Sequence, residues 1–197
     1  EVRVQDDGGD AITGIIPYAD KLIITTPTAI HIGYLGPSDS IGVRQLTKNK
    51  IGFLHMKAVD YVTIGDRRVL MGVTRDGIYS YSGGEELQPI IGNWLQVEPS
   101  GINLGRLHQA VACYWPSQEL FLFAFPSVNS EINDRLGVMD VKNKRIFVWR
   151  HTDGINALSV VADINGRDYV LVGTATGLIE TIVRGGTDDG RTVTGYF

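Results

Sequence analysis

The sequence predicts an all-β fold made of β-propeller-like repeats of four-stranded blades, about four blades in this chain, and three observations carry that prediction. Apolar runs recur at a near-constant spacing: the runs holding Leu22, Leu70, Leu122 and Leu171 follow one another at 48, 52 and 49 residues. A period of that size built from short strands is the repeat of propeller blades. Each run is followed by turn chemistry, or in the third case by a longer loop, and then by another apolar run, as in Val69-Leu-Met-Gly-Val-Thr-Arg-Asp-Gly-Ile-Tyr79. No segment sustains a helical period over ten residues; a single helical turn is the most that residues 103–112 allow.

The first unit, residues 10–50, places strands over 12–18, 22–26, 29–35 and 41–46. Threonine and isoleucine dominate them, as half-buried pleated surfaces favour. The second, 51–101, places strands over 58–64, 69–74, 77–81 and 94–97. Gly65-Asp66 and Asp76-Gly77 mark its turns, and Ile78-Tyr-Ser-Tyr81 alternates with the period of a strand that buries one face. The third, 102–152, places strands over 109–114, 120–125, 136–141 and 145–149, with a polar Lys142-Asn143-Lys144 turn and an exposed, mobile loop over 126–134. The fourth, 153–197, places strands over 158–163, 169–173, 178–183 and 192–197, with Asn165-Gly166 as a strong two-residue hairpin signal. Stacked blades bury faces that no blade buries alone. The four units therefore form one propeller over 1–197, or part of a larger one. The open ends favour the larger one, with Glu1 to Val4 completing a neighbouring blade.

Bulk composition agrees. The chain is 43% hydrophobic and 20% charged, enough to bury a core, and its 24 scattered glycines exceed the usual share of roughly 7% because many turns need them. A net charge of −4 argues against a general nucleic-acid binder. Cys113 is the single cysteine, set among apolar neighbours, so it reads as a buried strand residue and no intrachain disulfide forms. No apolar run reaches the ~20 residues of a spanning helix, and no signal-peptide pattern opens the chain. A first residue other than methionine and a strand-like last segment give the expectation of a piece of a longer protein.

Catalytic signals are almost absent. His31, His55, His108 and His151 are too far apart in sequence for a paired metal site. There is no nucleophile elbow, phosphate loop or dinucleotide fingerprint. Asp20, Asp60, Asp76 and Asp163 recur near strand ends, where they form turns or, if the fold draws two together, a carboxylate pair. The clusters Asp6-Asp7-Gly-Gly-Asp10 and Asp188-Asp189-Gly190 lack the spacing of a calcium loop and read as solvated turns. Trp94, Trp115 and Trp149, with Tyr79 and Tyr81, either pack between blades or stack on sugars. No catalytic, cofactor or metal residue is assigned.

Residues 67–81, the run Val138-Met-Asp-Val141 with its preceding Asn133-Asp134 loop, and Val172-Gly-Thr-Ala-Thr-Gly-Leu178 followed by Gly185 to Gly190 together resemble the propeller-like structural proteins of the tail or neck of tailed bacteriophages. The resemblance spans nearly the whole chain. It implies a non-enzymatic virion component, made in the host cytoplasm and assembled in copies around the tail axis against other virion proteins. DNA would pass nearby without being held, a mildly acidic subunit having little grip on phosphates. The alternatives are a protein-interaction scaffold propeller and a carbohydrate-binding or carbohydrate-active one.

Overall fold

The computed structural model describes residues 10–35, 41–46, 50–182, 187–188 and 191–192. Among them the regular structure is β-strand, with only single turns of 3-10 helix between strands. Sheet 1 comprises β1 (Gly14–Tyr18), β2 (Lys21–Thr25), β3 (Ile30–Leu35) and β4 (Ile41–Gln45). Sheet 2 comprises β5 (Val59–Ile64), β6 (Arg67–Val73), β7 (Ile78–Tyr81) and β8 (Gln88–Ile91). Sheet 3 comprises β9 (Val111–Trp115), β10 (Leu120–Phe125), β11 (Arg135–Asp140) and β12 (Arg145–Arg150). Sheet 4 comprises β13 (Ile155–Ala162), β14 (Asp168–Thr174) and β15 (Ile179–Ile182), and a short hairpin pairs β16 (Thr187–Asp188) with β17 (Arg191–Thr192). Every sheet is an antiparallel meander in chain order. Three of the predicted four-stranded units are present and the fourth shows three strands among the described residues; their arrangement is propeller-like, without closing into a ring among those residues.

The sheets stack face to face in sequence. Ile16, Ile23 and Ile32 of sheet 1 meet Leu70, Tyr79 and Tyr81 of sheet 2. Val62, Met71 and Ile78 of sheet 2 meet Tyr114, Phe121, Phe123 and Phe125 of sheet 3. Cys113, Leu122 and Val138 of sheet 3 meet Ile155, Val170 and Val172 of sheet 4. Sheets 2 and 3 are thus covered on both faces, which is why β7, β9 and β10 are buried at almost every position instead of alternating.

Local chemistry explains the turns. Thr74, at the end of the second strand of sheet 2, accepts from the Asp76 and Gly77 N–H groups (3.2 Å each), and its hydroxyl donates to Gly77 O (3.0 Å). Thr174 does the same work in sheet 4, accepting from Leu178 N–H at 3.0 Å. Asn165-Gly166 makes the expected β13–β14 hairpin, with Gly166 at φ +75° and Asp163 accepting from the Asn165 and Arg167 amides (2.8 Å each). Those amides hold the Asp163 carboxyl below its usual pKa, the Arg167 N–H contributing most.

Two expectations change. The strand expected over 94–97 is a 3-10 turn, Trp94–Gln96, and the fourth strand of sheet 2 is β8. Asn93 caps that turn through Leu95 N–H (2.9 Å), and the buried Trp94 indole donates to Arg75 O (3.1 Å) and Thr74 O (3.3 Å), anchoring the turn beneath the β6–β7 loop. Pro89 is tolerated in β8 because that strand is the sheet edge. The 126–134 loop is tied down rather than loose: Asn133 is only 1% exposed, and Asp134 accepts from Ser127 N–H and Oγ (2.8 Å each). The single turn expected within 103–112 is the 3-10 turn Leu107–Gln109. The fourth strand expected over 192–197, like Glu1 to Val4 and Asp6-Asp7, lies outside the described residues apart from Thr192 in β17.

The leucine register also slips. Leu70 faces sheet 1, whereas Leu122 faces sheet 4. In sheet 3 it is Phe121 and Phe123 that face the preceding sheet, and in sheet 4 it is Val170 and Val172. A strand's side-chain period is two, so an alignment offset of one residue exchanges the two faces.

Candidate functional site

The meander order puts two kinds of connection at one end of the stack: the loops after each second strand and the links between sheets. This end is laced by named contacts. Thr25 accepts from Phe53 N–H at 2.8 Å and its hydroxyl donates to Phe53 O at 3.0 Å, pinning the first link to sheet 1. Ile102 bridges Ser127, and Asn103 Nδ2 donates to Ser130 O (2.9 Å). Asn133 Nδ2 donates to Gln109 O and Ile155 O (2.8 Å each), joining the entries of β9 and β13. Arg135 pairs with Asp134 (2.6 Å) and Glu98 (3.1 Å), and His151 Nε2 meets Glu180 at 2.8 Å. Burial raises the Asp134 pKa, but the Ser127 hydrogen bonds and the Arg135 charge outweigh it and hold the carboxyl below its usual value.

A cleft of about 450 Å³ opens at this end between Arg75, Asp76, Trp94, Leu95, Ile102 and Leu104. Leu95 and Leu104 are both more than half exposed, and Val128 stands exposed on the neighbouring loop. The rim is mixed, one cation and one carboxylate over an aliphatic floor.

A second cleft, about 510 Å³, runs along the innermost strands β5, β9 and β13, where a propeller has its axis. Its lining is mostly small and aliphatic, with Lys57 and Asp60 as its charged groups. Asp60 is committed to structure: Oδ1 accepts from Tyr61 N–H (2.7 Å) and Oδ2 from Tyr114 N–H (2.8 Å), so it occupies the inner edge of β9. Cys113 also lines this cleft but is buried; burial, with the Asp60 charge second, pushes its pKa up to about 12. At neutral pH it is a thiol, and thiols do not attack disulfides or alkylating agents. Native protein at pH 7.5 is therefore expected to give no fast reaction with a chromogenic disulfide reagent, and one thiol per chain after denaturation in guanidinium. Rapid labelling of the folded protein would contradict this.

The carboxylates do not converge. Asp76 sits at the laced end and Asp60 on the inner edge, while Asp20 and Asp163 are in the β1–β2 and β13–β14 turns at the opposite end. The histidines are likewise dispersed. His55 accepts from Lys57 N–H (3.1 Å), His108 meets Gly105 O (3.1 Å), His151 pairs with Glu180, and His31 is buried in sheet 1. Among the described residues no three His, Cys, Asp or Glu side chains gather as metal ligands, and no helix is long and apolar enough to cross a membrane. Trp94, Trp115, Tyr79 and Tyr81 are packed inside, and Trp149 is the tryptophan with substantial exposure, at 39%.

The sequence gives no clear signal for what this region contributes. Asn133, which ties three segments together, lies in a loop whose composition resembles any exposed turn, and its role follows only from the entry points of β9 and β13 meeting there. Compared with known proteins, the chain matches no protein-family model and no curated protein sequence.

Proposed function

We propose that this chain is a structural, non-catalytic component of a tailed-phage particle, in the tail or neck, that acts through contacts with its neighbours. The observation that supports the reading best is the contrast between a heavily cross-packed interior and apolar outer faces at both ends of the stack. Ile15 and Leu22 are exposed on sheet 1, and Val161 and Ile179 on sheet 4. In a stack whose internal faces are closely packed, such end faces are where further subunits fit. Rigid sheets with capped turns suit a part that bears load and resists proteolysis.

Electron microscopy of purified particles, with the chain located by antibody or by density, tests the proposal. Repeated copies around the tail or neck axis are the expected result. Absence from every particle fraction, with the chain free and monomeric in the lysate, would overturn it. The protein-interaction scaffold is the second reading, favoured by the cleft between Arg75 and Leu104 with its exposed leucines. It predicts a partner bound at that end in the absence of particles.

A further inference from the structure

Asn165 is the one asparagine in the sequence that is followed by glycine; every other precedes a larger residue. It stands exposed at the tip of the β13–β14 hairpin, with Gly166 exposed beside it at φ +75°. Nothing lies within 4 Å of where a Cβ on Gly166 would stand, so no side chain crowds the approach to its main-chain nitrogen. The contrast with Asn103, Asn133 and Asn143 is sharp: their amide groups are tied to Ser130, to Gln109 and Ile155, and to Asp140.

An exposed Asn-Gly pair has an intrinsic reaction. The Gly166 nitrogen, once its proton is lost to solvent, attacks Asn165 Cγ. The new C–N bond closes a five-membered imide, the Cγ–Nδ2 bond breaks, and ammonia leaves with a proton taken from solvent. Water then opens the imide at either carbonyl, giving aspartate or isoaspartate.

The folded turn opposes this reaction. Gly166 N–H donates to Asp163 O (3.0 Å) and Asp163 N–H donates to Arg167 O (2.7 Å). Asp163 Oδ1 accepts from the Asn165 and Arg167 amides (2.8 Å each), and the Tyr169 hydroxyl donates to Oδ2 (3.1 Å). Asp163 is a partner in every one of these bonds. The attacking nitrogen is therefore released only when the turn opens locally.

We propose that Asn165 is a site of spontaneous deamidation, and that the Asp163 carboxylate sets its rate by hydrogen bonds that keep the turn shut. The product undoes its own brake. It places a second negative charge beside Asp163, and the isoaspartate form adds a methylene to the main chain, so Oδ1 no longer reaches both amides. The chain thus carries an age-dependent change at one hairpin of sheet 4, whatever assembly the protein belongs to.

The test incubates the native protein in mildly alkaline buffer and follows amide-to-acid conversion at each asparagine by peptide mapping with mass spectrometry. A synthetic hexapeptide, Asp-Ile-Asn-Gly-Arg-Asp, is the unbraced reference. Asn165 is expected to convert about tenfold more slowly than in the hexapeptide, yet faster than every other asparagine of the folded chain. Asp163→Ala should raise the rate to that of the hexapeptide. Asp163→Asn keeps an accepting oxygen and should stay near the native rate. Hydrogen exchange in β6 and β7, unchanged in both variants, checks that the stack is intact. Faster conversion at the exposed Asn129 or Asn156 would overturn the site. An Asp163→Ala rate equal to the native one, or an Asp163→Asn rate equal to that of the alanine variant, would overturn the brake.

Discussion

Replacing Phe123 with alanine is expected to remove about 3–5 kcal/mol of folding stability. Phe121, Phe123 and Phe125 lie at alternate positions of β10, so all three rings project from one face toward sheet 2. Phe123 is fully buried between the other two, at centroid distances of 6.0 and 5.7 Å, with Trp94 tilted against it at 6.1 Å. The ring also fills the space over Gly137, its cross-strand partner: a Cβ at Gly137 would stand 2.3 Å from the Phe123 ring. The site is walled by the rings of Phe121 and Phe125 and of Trp94 from the 3-10 turn after sheet 2, so it cannot collapse cheaply after truncation, and the cavity term adds to the lost transfer energy. Guanidinium unfolding measures the loss, with Phe147→Ala as the control. Phe147 has the same side chain but is 41% exposed, and its truncation is expected to cost less than about 1 kcal/mol. Equal losses at the two positions would show that the core is not where the stack places it.

Asn133→Ala is expected to cost about 2–4 kcal/mol, because it strands one buried and one partly buried carbonyl that one amide group now satisfies. Those carbonyls belong to Gln109 and Ile155, the entry points of β9 and β13, and Ile155 N–H returns a bond to Asn133 O at 2.9 Å. The main-chain bond survives the substitution, so sheet 4 should loosen from sheet 3 without the stack unfolding. Hydrogen exchange is the discriminating measurement. Residues 155–174 should exchange faster while β6 and β7 keep their protection. Uniform acceleration across all four sheets would mean that the stack opens as one unit and that Asn133 has no local role.

Much of the architecture was legible in the residues. Alternation in Ile78-Tyr-Ser-Tyr81, the Asn165-Gly166 turn and the recurring apolar runs each act over a few residues, and strand and hairpin formation is decided at that range. Residues 94–97 read as a strand in the sequence because an aromatic and two aliphatics have strand-like composition. What decides the matter is a hydrogen bond from Trp94 to carbonyls about 20 residues earlier. The leucine register slipped for a related reason: in sheets covered on both faces, apolar residues stand at consecutive positions, so hydrophobicity no longer tells one face from the other.

The sequence by itself determined the all-β class, the four repeat units and most strand positions, since these follow from side-chain period and turn chemistry along the chain. Only the tertiary structure decided which face of each strand meets which sheet, and that Asp60 and Asn133 are fasteners rather than solvated turn residues. Those properties depend on groups far apart in the chain meeting across sheet faces and edges, and no local pattern encodes which of them will meet.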